Sequence, residues 1–172
     1  MSHPVLVVID VQNDYFEGGA FPLWGAEQAL VATEKAVHGA RARGWPVVFI
    51  QHVAGGPSPF FNEGSEGVKL HERLRTEADR DAPRVIKQHA DAFEGTTLQQ
   101  TLEGLGVDEL VLCGMMSHNC VTHTALSRRA DAYRKVTVLT DASTTVSEIL
   151  HLIAVKALST RVALAKVDEL LA

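Results

Sequence analysis

The chain has 172 residues, of which 46% are apolar, 22% charged and 6% aromatic, an average composition that excludes disordered, collagenous and disulfide-scaffold classes. Sixteen basic against twenty-one acidic residues leave a formal charge of -5, with no basic run able to neutralise a row of phosphates, so no nucleic-acid partner is expected. The first apolar run, Val5 to Ile9, is stopped by Asp10 well short of a signal core or the ~20 residues of a membrane span, so the expectation is a cytoplasmic protein with no membrane association.

A chain of this length buries roughly 70% of its unfolded surface, and one domain over residues 1–172 is expected. Val5 to Ile9 is continuously apolar and β-branched, the pattern of a strand buried on both faces of a parallel sheet. The pattern returns at Pro46 to Ile50, Arg84 to Ile86, Glu109 to Cys113, Lys135 to Leu139 and Arg161 to Ala165. Between these runs, Ala26, Ala29, Leu30, Thr33, Ala36, Val37 and Ala40 make a helical stripe that Gly44 ends. Leu98, Leu102 and Leu105 do the same before Gly106, a helix is predicted from Val121 to Tyr133, and Val146 to Leu158 carries another wide stripe. Strand alternating with helix predicts an α/β fold: a three-layer αβα, doubly wound sheet of about six mainly parallel strands. The irregular stretch 54–67, with Phe60 and Phe61 side by side, is either a surface loop whose aromatics tuck into the core or a loop that covers a site or contacts another subunit.

Ligands of doubly wound sheets bind outside the carboxyl ends of the strands, so the polar residues ending each run are the candidates. These are Asp10, followed by Gln12, then Gln51-His52, then Lys87-Gln88-His89, and the turn from Gly114 to Cys120. Cys120 opens the predicted 121–133 helix, where free N–H groups and the helix dipole favour thiolate, and a nearby Lys would lower its pKa below ~8.5. Cys113 lies inside a strand and reads as a small buried hydrophobe. Lys87 ends a buried strand and needs an anion, for which Asp10 is the obvious choice if their strand ends meet.

Val-Val-Ile-Asp10-Val-Gln-Asn-Asp14, Lys87-Gln-His-Ala-Asp-Ala-Phe93-Glu-Gly95-Thr96 and Gly114-Met-Met-Ser-His-Asn-Cys120-Val121 resemble, in order, the signature blocks of the isochorismatase-like cysteine hydrolases. The resemblance runs over nearly the whole chain. It implies Cys120 as nucleophile, Asp10 as general base and later acid, and Lys87 holding both in place. It also implies a cis peptide at Met115-Met116, an oxyanion hole of the Met116 and Cys120 backbone N–H groups, and a homo-oligomer, dimer or higher.

Nicotinamidases of that family carry a metal-binding Asp-x-His after the second strand. Here the stretch reads Gln51-His52-Val53-Ala54, and His118 and His123 are about 140° apart around a helix, so neither metal nor other cofactor is expected. Gln12, Phe16, His52, Phe60, Phe61 and His118 are candidates for the substrate pocket, Trp24 being explicable as either pocket or core.

Isochorismate-type vinyl ether hydrolysis does not need the cysteine, so Cys120 favours covalent attack on a small molecule's C–N bond, of amide, carbamoyl or imine type. Ether hydrolysis, a catalytically silent relative and a phosphoacceptor-like signalling domain stand as alternatives. The last lacks a strand-end Asp midway between Asp10 and Lys87, and Asp10 to Asp14 has nothing of a dinucleotide-binding glycine loop.

Overall fold

The computed structural model describes residues 2–74 and 81–171. Six strands form one sheet: β1 (Pro4–Ile9), β2 (Val47–His52), β3 (Arg84–Lys87), β4 (Glu109–Met115), β5 (Lys135–Thr144) and β6 (Ala163–Ala165). Their order is β3-β2-β1-β4-β5-β6 and every neighbouring pair is parallel. Helices α1 (Ala26–Ala42) and α5 (Val167–Leu171) contribute to the core on one face, with Leu6 and Val8 of β1. Helices α2 (Leu98–Gly104), α3 (Thr122–Ala125) and α4 (Glu148–Leu158) contribute to the core on the other, with Val5, Val7 and Ile9. Both faces of β1 are therefore covered, which is why its sequence is apolar without alternation. Among the described residues no helix is long and apolar enough to cross a membrane.

The ends of α1 follow the chain signals. Gly44, at φ +69°, lets its own N–H reach Arg41 O at 2.8 Å and that of Trp45 reach Ala40 O at 2.9 Å, the paired bonds of a Schellman stop. Two expected elements come out differently. The predicted 121–133 helix is only the single turn α3, because the Ser127 hydroxyl and carbonyl accept from Arg129 N and Ala130 N and start a separate 3-10 turn at Ala130–Ala132. Strand β5 runs five residues past Leu139, through an irregularity that re-pairs Ser143 and Thr144 with Gly114 and Met115. Asp141 consequently leaves the strand-end crevice and accepts from Val167 N at 3.0 Å, capping α5.

From β1 the chain winds outward to β2 and β3, then crosses back to β4 and onward to β6. The reversal lies between β1 and β4, and the crevice beyond their carboxyl ends is where such sheets hold ligands. Gly114 fixes that crevice. Its φ is +124° and a Cβ there would lie 2.0 Å from Ile9 O, so only glycine allows the two strand ends to close up beside Asp10.

Candidate active site

Asp10 is the first residue past β1, fully buried, and one of two non-glycine residues among those described in the left-handed region, at φ +51°. Its N–H still donates to Ile50 O at 3.0 Å, so the sheet's hydrogen bonding continues while the side chain turns into the crevice. Lys87 ends β3, two strands away, and is also buried. Its long stem spans that distance and places Nζ 2.8 Å from Asp10 Oδ2 and 3.2 Å from Cys120 Sγ. Cys120, 4% exposed, lies inside a π-helical turn, Ser117–Val121, that follows β4 directly; the Met115-Met116 peptide before it is cis. Ser117, the first residue of the turn, is held from behind by the ring of His151, whose Nδ1 is 3.0 Å from its hydroxyl.

Lys87 has three N–H groups and four neighbours. His52 Nδ1 at 2.9 Å, His89 O at 3.0 Å and Cys120 Sγ lie in hydrogen-bonding positions, and Asp10 is the charge partner. Neither oxygen of Asp10 receives a well-aligned hydrogen bond among the described residues. Its lone pairs are open to a proton from the thiol.

The electrostatics reverse one expectation. Burial first, then the charge of Asp10, push the Cys120 thiol up to about 12, and Lys87 only partly offsets them. Burial alone would lower the Lys87 ammonium, yet the charges of Asp10 and Cys120 raise it above its ordinary value. The helix-dipole contribution is small, since Cys120 sits within a turn leading into a single helical turn rather than at the head of a long helix. The resting trio is thus a carboxylate, an ammonium and a neutral thiol, an arrangement in which the proton leaves sulfur only as sulfur attacks. His52 is lowered by burial and by Lys87; as a neutral imidazole it accepts at Nδ1 and carries its proton on Nε2.

The candidate pocket residues divide. Phe61 lies against His52, ring centroids 5.9 Å apart, and edge-on to Tyr15 at 4.6 Å, so it walls the crevice. Phe60 packs behind it, its ring centroid 5.0 Å from that of Phe61, 5.7 Å from Tyr15 and 4.9 Å from Phe21. Gln12 is structural: its amide donates to His52 O and Val68 O and accepts from His52 N, sewing β1's exit to the 53–71 stretch. Phe16 packs on His71 at 4.5 Å within the core, and His118 Nδ1 lies 2.6 Å from Thr145 Oγ1. Stretch 54–67 is pinned by Asp14, which accepts from Phe61 N at 2.7 Å and Ala20 N at 3.0 Å.

Tyr15 was not foreseen. It is buried, and its phenol is pushed up by burial first and then by the charges of Asp10, Cys120 and Asp14, so it stays neutral beside them. A hydroxyl among the aromatics after Asp10 was the available signal. His151 offered none, since only folding brings it to Ser117.

Asp10, His52 and Cys120 form a group of metal-ligand types whose donor atoms lie within 4.8 Å of one another, which the sequence reading did not anticipate. The donor set does not fit a metal ion while Lys87 is protonated, because its ammonium already lies 2.8 to 3.2 Å from all three.

Comparisons with known proteins show the family and the fold. A model of the isochorismatase domain matches residues 4–166. The uncharacterized isochorismatase family protein YddQ of Bacillus subtilis (strain 168) is 38% identical over 129 residues, covering 74% of this chain and 71% of that one. N-carbamoylsarcosine amidase of Arthrobacter sp is 26% identical over 152 residues, 78% of this chain and 57% of the other. The crystal structure of an isochorismatase-like hydrolase from Alkaliphilus metalliredigens superposes with a TM-score of 0.88 at 27% identity, covering 98% of this chain and 96% of that one.

Proposed function

The chain belongs to the isochorismatase-domain family of hydrolases, and from that premise we propose that it is a cysteine-dependent hydrolase of a small-molecule C–N bond, of amide, carbamoyl or imine type. The observation that carries the reading is the buried Lys87 ammonium in contact with both Asp10 and Cys120.

For an amide, Cys120 Sγ attacks the carbonyl carbon as its proton passes to Asp10. The backbone N–H groups of Met116 and Cys120 are the donors assigned to the developing oxyanion. Protonated Asp10 then gives its proton to the leaving nitrogen, the C–N bond breaks and a thioester remains on Cys120. Asp10, again a carboxylate, takes a proton from water as it attacks the thioester, and the proton returns to sulfur. Throughout, Lys87 compensates the negative charge shared between sulfur and carboxylate. Tyr15 and Phe61 limit the substrate to a small molecule with an apolar part.

The test is a panel of primary amides, N-carbamoyl amino acids and cyclic imides, read by ammonia or amine release and by intact mass. Wild type is expected to turn over at least one class and to carry an acyl adduct on Cys120 under rapid quench. Cys120→Ala should lose at least about 10³-fold of that rate. Turnover that survives Cys120→Ala overturns the covalent mechanism and favours ether hydrolysis, and absence of turnover on every class favours a catalytically silent member.

A further inference from the structure

The buried residues of α4 are His151, Ala154 and Leu158, on one helix face, and His151 is the polar one among them. It is 9% exposed, and burial holds its imidazole below the ordinary value, so the ring is neutral. A polar ring at that depth needs a hydrogen-bond partner. Among the described residues it has one, the buried Ser117 hydroxyl 3.0 Å from Nδ1, and that hydroxyl has no other. A buried pair of this kind adds little net stability, since two apolar groups of the same shape would serve the core about as well. What the pair does supply is direction, and it acts on the first residue of the turn that carries Cys120.

That turn closes on itself: Met116 O accepts from Asn119 N at 3.0 Å and Val121 N at 3.3 Å, and Ser117 O accepts from Thr122 Oγ1 at 2.6 Å. It is tied outward at Cys120 to Lys87, at His118 to Thr145 and at Ser117 to His151. The last tie comes from a fixed point. Ser147 caps α4, its hydroxyl accepting from Leu150 N and its carbonyl from His151 N, so His151 stands on a capped first turn. Building on the cysteine-hydrolase reading, we infer that His151 is a positioning residue for the nucleophile. Through the Ser117 hydroxyl it holds Cys120 Sγ against Lys87 and aims the neighbouring Met116 N–H at the reacting carbonyl.

The test compares three variants. His151→Leu keeps the bulk without the bond, His151→Asn can place an amide where Nδ1 was, and Ser117→Ala deletes the bond from the other side with a single oxygen. Urea midpoints verify folding, and Cys113, enclosed in β4, reports any loosening of the core by its reaction with iodoacetamide. On an amide that wild type turns over, His151→Leu and Ser117→Ala should each lower kcat by about 10- to 100-fold with KM within about twofold, and together by no more than either alone. His151→Asn should recover most of the loss. Alkylation of Cys120 at a fixed alkaline pH needs no substrate. Loss of the tie should carry the thiol away from the Lys87 ammonium, slow alkylation by about tenfold, and add nothing once Lys87→Met is present. Slowed alkylation in a protein without turnover on any substrate class supports the positioning role and overturns the hydrolase reading. Turnover and alkylation unaltered in both His151→Leu and Ser117→Ala overturn the positioning role and leave the hydrolase reading standing. A loss of kcat that His151→Asn does not recover, or that comes with a reactive Cys113, overturns it as well and assigns His151 to core packing.

Discussion

The most informative disagreement at the residue scale is the direction in which Cys120 is shifted. Asp10 raises the thiol and Lys87 lowers it, so the two single substitutions must act with opposite sign. Asp10→Asn removes a charge that, after burial, holds the thiol up. Its Cys120 should therefore ionise below about 12 and be alkylated faster by iodoacetamide at a fixed alkaline pH, followed by peptide mass, even as turnover falls by about 10²- to 10⁴-fold with the base gone. Lys87→Met should raise the thiol further and slow alkylation while also costing turnover. If both variants shift the alkylation profile the same way, the division of roles between Asp10 and Lys87 is wrong. Asp10 and Lys87 were legible as the polar residues that end apolar runs and Cys120 as the thiol in the turn after another, while their joint role came from the family resemblance. The sign of the thiol shift was not legible, because it depends on how deeply the crevice is buried and how close the carboxylate lies. The place of His52 as a third acceptor around Lys87 was not legible for a related reason, since only folding brings the two side chains together.

The element that decides the site is the pair of strand ends β1 and β4, with the turn that follows β4. Gly114→Ala places a Cβ 2.0 Å from Ile9 O at a φ of +124°, and neither backbone can yield without breaking the β1–β4 ladder. Stability should drop by roughly 4 kcal/mol or more, read from the urea midpoint. Gly104→Ala, on the last position of α2 with nothing within 4 Å, should instead be neutral or gain up to about 1 kcal/mol. Equal effects at the two positions would mean that Gly114 is not what brings the strands together. Strands were readable here because those covered on both faces are continuously apolar, and α1 because its stripe and Gly44 agree. The chain from Val121 to Tyr133 was misread because its helix-compatible composition conceals a serine that hydrogen-bonds its own backbone and stops the helix after one turn. Stretch 54–67 held two readings open, and the choice rested on Asp14, whose carboxylate reaches across 47 positions to Phe61 N.

At the scale of the whole molecule, the buried titratable groups set a window of pH. His52, His71, His118 and His151 are all lowered from 6.5, in each case by burial first. Below about 6.5 the unfolded chain takes up protons that the folded chain refuses, so stability is lost as pH falls. Cys113 and Cys120 are raised by burial from 9.0 to about 12, and Lys87 is raised as well. Above about 9 the unfolded thiols release protons that the folded ones keep; the unfolded state then binds fewer protons, and stability is lost as pH rises toward 12. Denaturant midpoints measured across pH should therefore trace a plateau from about 6.5 to 9 with a falling limb on either side. The alkaline limb belongs in part to a residue without any role in the proposed chemistry. Cys113, wholly enclosed in β4, adds to it as Cys120 does, so Cys113→Ala should lower the plateau by the cost of its cavity and yet make the alkaline limb shallower. A limb of unchanged slope in that variant would assign the alkaline loss to the other raised groups, Cys120, Lys87 and Tyr15. Stability still climbing past pH 9 would mean that the buried thiols ionise inside the native fold, and with it that the neutral resting thiol on which the proton transfer to Asp10 depends does not exist.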